Sequence, residues 1–152
     1  MVINIQNILS TSQLSFAKLA VNAEIWNDAA KFTNVYYINC MKQALCTAAV
    51  IVDKTERGVC VCSKSLIPDS CEIELICIDK DFRRIGLGRK LLSHVLRNMR
   101  CMRVKTAYLW VNENNTAAVG FFTNFGFTPD GKRRKVPGGA PGDELRLKID
   151  IF

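Results

Sequence analysis

Of the chain's 152 residues only one, His94, is a histidine. A lone imidazole excludes a histidine-built metal centre, and the cysteines do not make good the lack. Cys60-x-Cys62 is too tight for a zinc pair, so no metal site is expected. Nor does any apolar run approach the ~20 residues needed to span a bilayer. The opening MVINIQNILSTSQLS has no basic leader, apolar core or small-residue cleavage site, so it does not read as a secretory signal. The expected location is therefore the cytoplasm, with no membrane association. Acidic residues are scarce too, at 14 against 21 Lys and Arg, for a net charge of +7. That balance favours anionic partners.

What the chain does have is a real core. Apolar residues make up 49% and charged residues 23%, which excludes intrinsic disorder. A chain of this length buries roughly 70% of its unfolded surface. With no repeat, low-complexity tract or linker, residues 1–152 are expected to form a single domain. The 7 cysteines are odd in number, and most sit in apolar stretches such as GVCVCS and IELICI. They read as small buried hydrophobes in a reducing compartment.

The spacing of apolar residues predicts a mixed order of elements. Val2–Ile8 reads as a strand. Leu14, Leu19, Ala23 and Trp26 recur at helical spacing after the N-capping Ser10–Ser12, and Asn27–Asn39 reads as a second helix with an extended end. Trp26, Tyr36 and Tyr37 are expected to line a core or groove. Leu45–Asp53 and Val59–Ser63 read as a hairpin turning at Lys54–Gly58. Cys71–Asp79 is a strand, with Glu72, Glu74, Ile76 and Ile78 on one face and Ile73, Leu75 and Cys77 on the other. A helix follows with Leu87, Leu91, Leu92, Val95, Leu96 and Met99 in one stripe. Lys105–Val111 is a strand and Asn115–Phe125 a helix. The Pro- and Gly-rich stretch 128–143 reads as a long loop. Glu144–Phe152 alternates as a closing strand.

The informative segment is Arg83-Arg84-Ile85-Gly86-Leu87-Gly88, between a strand and a helix. Glycines at a helix mouth let backbone N–H groups converge, and the helix N-terminus and arginines add positive charge. The pattern suits a phosphate or pyrophosphate. Leu91 stands where a dinucleotide-binding fingerprint wants a third small residue, and no P-loop occurs.

Arg83-x-x-Gly86-x-Gly88 after a buried strand resembles the acyl-CoA pyrophosphate motif of the GNAT acetyltransferase superfamily. Asn115-Thr-Ala-Ala118-Val-Gly-Phe-Phe122-Thr-Asn-Phe-Gly126-Phe127 resembles the family's later element. The resemblance covers roughly Leu45–Phe152 and is strong from Glu72 to Phe127. It implies an α/β (α+β) fold: a mixed, mostly antiparallel twisted sheet flanked by helices, splayed open between the strands near 71–79 and 105–111. Acetyl-CoA, as acyl donor, would lie in that cleft. The backbone of Ile76, Cys77 and Ile78 would pair with its pantetheine arm, and the Ile76 N–H would face the thioester oxygen. The amides of Arg84, Ile85, Gly86, Leu87, Gly88 and Arg89 would wrap the pyrophosphate beside Arg83, with Asn115 helping to hold the cofactor.

The implied activity is transfer of acetyl to a primary amine by direct attack in a ternary complex. Glu72 matches the position of the base in histone-type members, and Glu74 is the alternate; burial of such a carboxyl raises its pKa to useful values. Many members carry a tyrosine that protonates the leaving thiolate, where this chain has Phe122. Tyr108 is one substitute. The missing donor also gives weight to an alternative, a catalytically weak acyl-CoA-binding sensor or regulatory module. Cys77 reads as packing, since nothing suggests an activated thiol. A nucleic-acid partner is disfavoured, because an anionic cofactor already accounts for the charge and no binding motif occurs. The acceptor, small molecule or protein, is left open, as is a homodimer. Lys132-Arg-Arg-Lys135 reads first as a solvated charge run, and also hints at an acceptor bearing an acidic group.

Overall fold

The computed structural model describes residues 1–8, 39–136, 139 and 141–151. The helices expected between Ser10 and Asn39, with Trp26, Tyr36 and Tyr37, lie outside the described residues except for Asn39. In chain order the elements are β1 (Ile3–Asn7), β2 (Cys46–Val52), β3 (Thr55–Lys64), β4 (Ser70–Ile78), α1 (Leu87–Cys101), β5 (Thr106–Asn112), α2 (Thr116–Phe125), β6 (Thr128–Lys135) and β7 (Asp143–Asp150). The strands form one seven-stranded sheet in the order β1-β2-β3-β4-β5-β7-β6. Every pairing is antiparallel except β4 with β5.

Helix α1 forms where its apolar stripe predicts. Leu87, Leu91, Leu92, Val95, Leu96 and Met99 are all buried against the sheet, each contributing about 1.5–3 kcal/mol by leaving water. The principal core lies between this helix and the sheet, and takes in Cys60, Cys62, Cys71, Phe122 and Phe127. Cys46, Cys60, Cys62, Cys71 and Cys77 are buried free thiols, as their apolar settings imply.

Three expectations need correction. The β2–β3 turn is not Lys54–Gly58 but the two residues Asp53 and Lys54, both at positive φ (49° and 70°), and Val52 already pairs with Thr55. That is the mirror-image turn that matches strand twist. Gly58 instead lies inside β3, where a Cβ would meet Ile78 Cδ1 at 2.5 Å and the Cys77 carbonyl at 2.8 Å. Its job is close approach of two strands. Second, 128–135 is a strand rather than loop. Pro129, Asp130 and Gly131 resemble a turn because they make a bulge: Pro129 pairs with Leu147, and pairing resumes only at Arg133 with Leu145.

The third correction bears on the site. Val61 pairs with Leu75 but Cys62 pairs with Ile73, so Glu74 is an extra residue in β4. The bulge breaks the period of two. Cys71, Ile73, Ile76 and Ile78 pack toward α1. Leu75 and Cys77 pack on the opposite side, with Met41, Val59 and Val61. The expected grouping of Ile76 and Ile78 with the two glutamates therefore fails beyond Ile73.

Candidate active site

β4 and β5 pair only at Ser70–Thr106, Cys71–Ala107 and Glu72–Tyr108. Beyond that rung the strands diverge and line a cleft of about 730 Å³. Its walls are β4 from Ile73 to Ile78, β5 from Leu109 to Asn112, the first turn of α1 and the inner side of α2. The volume falls within the roughly 300–1,000 Å³ usual for ligand sites. One edge of β4 is paired to β3 along its length, while the edge facing the cleft has no strand partner past Glu72. Those backbone groups must be satisfied by something other than the sheet.

The far end of the cleft is the glycine-bearing turn. Asp79 ties it down, accepting from the Asp81 amide at 3.1 Å and from Arg57 at 2.9 Å. The Asp81 amide foremost, with Arg57, holds its carboxyl below the usual range against the opposing effect of burial. Arg83 Nε donates to the Ile78 carbonyl at 2.8 Å, so this side chain helps seal the end of β4. Arg84 and Gly86 both take positive φ (66° and 85°). Gly86 is the N-cap of α1 and offers no capping side chain. The first intrahelical bond runs from the Lys90 amide to the Gly86 carbonyl at 3.1 Å. The amides of Leu87, Gly88 and Arg89 therefore have no carbonyl within the helix, and the macrodipole adds positive potential. Gly88 serves packing as well: a Cβ would touch the Phe121 ring at 3.3 Å.

The end near the β4–β5 junction is different in character. Glu74 and Trp110 both line the cleft. Its Oε1 accepts from Ser63 Oγ at 2.6 Å. Glu72 lies beside it on the same face but does not line the cleft. Burial, then the Glu74 charge, push the Glu72 carboxyl up to about 7, with Arg134 and Arg146 opposing. The Arg146 guanidinium sits 4.7 Å over the Tyr108 ring, and Arg134 sits 4.3 Å over Trp110. Arg146 also binds Asp130 at 2.6 Å, and Arg134 binds the buried Glu144 at 2.7 Å.

The cleft brings together Glu74, Ile76, Cys77, Ile78, Arg83, Arg84, Gly86, Leu87, Gly88, Arg89, Asn115 and Phe122. Glu72 and Tyr108 stand one rung behind, and the Ile85 side chain points outward at 49% exposure. Asn115 spends its Oδ1 on the Ala118 amide, capping α2 at 3.1 Å. Phe122 is core, edge-on to Phe121 and Phe127 at centroid distances of 5.2 and 5.6 Å. Cys77 is buried and its thiol is pushed up to about 12, which excludes a ready thiolate. Sequence reasoning missed Trp110, Asn112 and Phe121. Their signal was available: they sit at the C-terminal end of β5 and along α2, the other wall of any splay.

The acetyltransferase (GNAT) family model matches residues 14–127. The chain belongs to the GNAT acetyltransferase family. It is 29% identical over 146 residues to the [ribosomal protein bS18]-alanine N-acetyltransferase of Salmonella typhimurium, covering 93% of this chain and 92% of that one. In fold it is similar to the ribosomal-protein-S18-alanine N-acetyltransferase of Escherichia coli (TM-score 0.83, 20% identity, 99% of this chain and 94% of that one). It is also similar to PaiA N-acetyltransferase of Thermoplasma acidophilum, solved in complex with coenzyme A (TM-score 0.75, 15% identity, 99% of each chain). This GNAT protein is thus an acetyltransferase whose mixed sheet splays where the family resemblance implies. Among the described residues no cluster of ligating side chains could hold a metal, and no helix is long and apolar enough to cross a membrane.

Proposed function

We propose that this protein transfers acetyl from acetyl-CoA to a primary amine, by direct attack within a ternary complex. The observation that carries the reading is the unpaired edge of β4, which runs from a carboxylate-lined end to the bare amides of the α1 N-terminus. An extended amide-rich arm suits that edge, and a pyrophosphate suits those amides. A Cβ at Gly86 would be strained by its φ, and one at Gly88 would crowd Phe121. Both glycines therefore keep the backbone open to a large anionic ligand.

Bound acetyl-CoA supplies an activated acyl carbon and a thiol leaving group. The residues of this chain do the rest. The Ile76 amide faces the thioester oxygen as negative charge builds on it. The Glu72–Glu74 pair accepts a proton from the acceptor ammonium. The freed lone pair forms the C–N bond while the C–S bond breaks, its electron pair leaving on sulfur. The second N–H proton goes to the thiolate through water, since Phe122 has no proton to give and the Tyr108 hydroxyl belongs to a ring outside the cleft. A thiol of pKa about 8.5 leaves tolerably near neutral pH.

The acceptor to try first is a peptide α-amine, the substrate type named for the bS18-alanine N-acetyltransferase relatives. Calorimetry with acetyl-CoA tests the donor site. The Gly86→Glu variant forces a side chain into a positive-φ position and sets an anion at the helix mouth, so binding is expected to weaken on the order of 100-fold. Unchanged binding in the variant sinks the reading. Phe122 favours a second reading, an acyl-CoA sensor. That reading holds if acetyl-CoA binds but an Ala-initiated peptide and a panel of alkyl amines release no CoA.

A further inference from the structure

The β4 bulge sorts two carboxylates that look equivalent in the sequence. Glu74 is the inserted residue, and bulges re-aim side chains next to active sites. It lines the cleft and Glu72 does not. Ser63 is the cross-strand partner of Glu72, yet its hydroxyl reaches past that residue to donate to Glu74 at 2.6 Å. Glu72 lies close enough for the Glu74 charge to bear on its carboxyl. Glu74 is thus held from β3 by a neutral donor, with a second carboxyl beside it on its own strand. It faces the cleft.

We propose that Glu74 is the group that touches the acceptor amine, and that Ser63 and Glu72 are positioning residues that hold and tune it. The proposal rests on the acetyl-transfer reading above. Two carboxyls in contact lose their protons in steps that belong to the pair. The last shared proton leaves near neutrality, because burial and like charge oppose the doubly ionised form. A base matched to neutral pH is the efficient one. Glu72 therefore supplies the neutral-range titration beside Glu74, while the Ser63 hydrogen bond fixes the Glu74 carboxyl. Arg134 from β6 and Arg146 from β7 bear on Glu72, Tyr108 of β5 is its cross-strand partner, and Lys148 of β7 pairs in turn with Tyr108. Both arginines favour ionisation.

The test is a pH profile of kcat/KM, read by CoA release with an Ala-initiated peptide, alongside acetyl-CoA affinity for each variant. Wild type is expected to gain rate as pH rises through about 7. Glu74→Gln is expected to lose about 10²–10⁴-fold in kcat at all pH values, with acetyl-CoA affinity unchanged. Glu72→Gln loses less, and loses the limb near 7. Ser63→Ala lowers kcat with acetyl-CoA affinity unchanged, and Ser63→Thr restores it. Rescue by a second hydroxyl is something that a loss of folding or packing would not produce. The proposal is overturned if Glu72→Gln costs as much as Glu74→Gln, or if Ser63→Ala keeps full kcat. Those results leave acetyl transfer standing. Acetyl-CoA bound with no turnover of the peptide or of alkyl amines overturns the transfer reading, and the assignment of Glu74 with it.

Discussion

Two regions carry much of the positive charge, and they use it in opposite ways. In the β6–β7 hairpin four of the six cations meet a carboxylate. Arg133 meets Glu113 and Asp143, Arg134 meets Glu144, Lys135 meets Asp143 and Arg146 meets Asp130. In α1 the sequence LGRKLLSHVLRNMRC holds four basic residues and no acidic one. The hairpin is near neutral as built and the helix is not. A tally of +7 therefore says nothing about where an anion binds until the acids are placed. Lys132–Lys135 hints at an acidic acceptor when read alone, yet Arg133, Arg134 and Lys135 each meet a carboxylate of the protein. The helix, with no acid of its own, places Arg89 at the cleft that its N-terminus ends.

The hairpin should yield the larger stability effect. Glu144 is only 3% exposed, and Arg134 is its partner. Arg134→Ala strands that carboxylate and uncovers Trp110, at a cost of about 2–4 kcal/mol in chemical denaturation. The comparison predicts no change in acetyl-CoA affinity, because Arg134 does not line the cleft. A variant of normal stability, or one with weakened acetyl-CoA binding, would break the division between the two regions.

The legibility of the sequence follows the same line. Arg83-x-x-Gly86-x-Gly88 was readable because a turn built on backbone amides demands glycine, and glycine leaves a mark. α1 and β7 were readable because one-sided burial imposes a period. The β4 bulge was not, because an inserted residue changes register without changing composition; only the partners of Val61 and Cys62 reveal it. So the two glutamates looked interchangeable. β6 was hidden for a related reason: Pro129, Asp130 and Gly131 are turn residues used inside a strand. Its ion pairs also needed Glu113 and Asp143, which lie far from it in sequence or beyond the turn.

The hairpin also reaches Glu72, since Arg134 and Arg146 bear on it across the sheet. Its folded-state carboxyl titrates near 7 against an ordinary value of about 4.5. The native state thus holds the proton more tightly than the unfolded chain between those values. Its contribution falls as pH rises through that window, the reverse of a salt-bridged carboxylate. Because the side chain is partly solvated, the drop is on the order of 1–2 kcal/mol after screening. Denaturation at pH 5 and pH 7.5 should show it for wild type and not for Glu72→Gln. An equal drop in both proteins would assign the effect elsewhere. Arg134→Ala removes an opposing cation, and should move the wild-type rise in kcat/KM to higher pH.

The smallest effect is the one that maps the helix field. Arg89 lines the cleft and stacks 5.2 Å over Phe125. Arg97 is exposed on the same helix, about 12 Å further along at 1.5 Å per residue. That distance exceeds the Debye length of about 8 Å at physiological salt. Arg89→Ala should weaken acetyl-CoA binding about 2–5-fold, the effect shrinking as salt is added. Arg97→Ala should change it by less than about 2-fold at 0.15 M salt and somewhat more at 0.01 M, where the screening length grows to about 30 Å. Equal losses at both positions in 0.15 M salt would mean that the whole face of α1 meets the ligand, not its first turn alone. The anion site would then have to extend along the helix, and the bare amides at its N-terminus would be only one part of it.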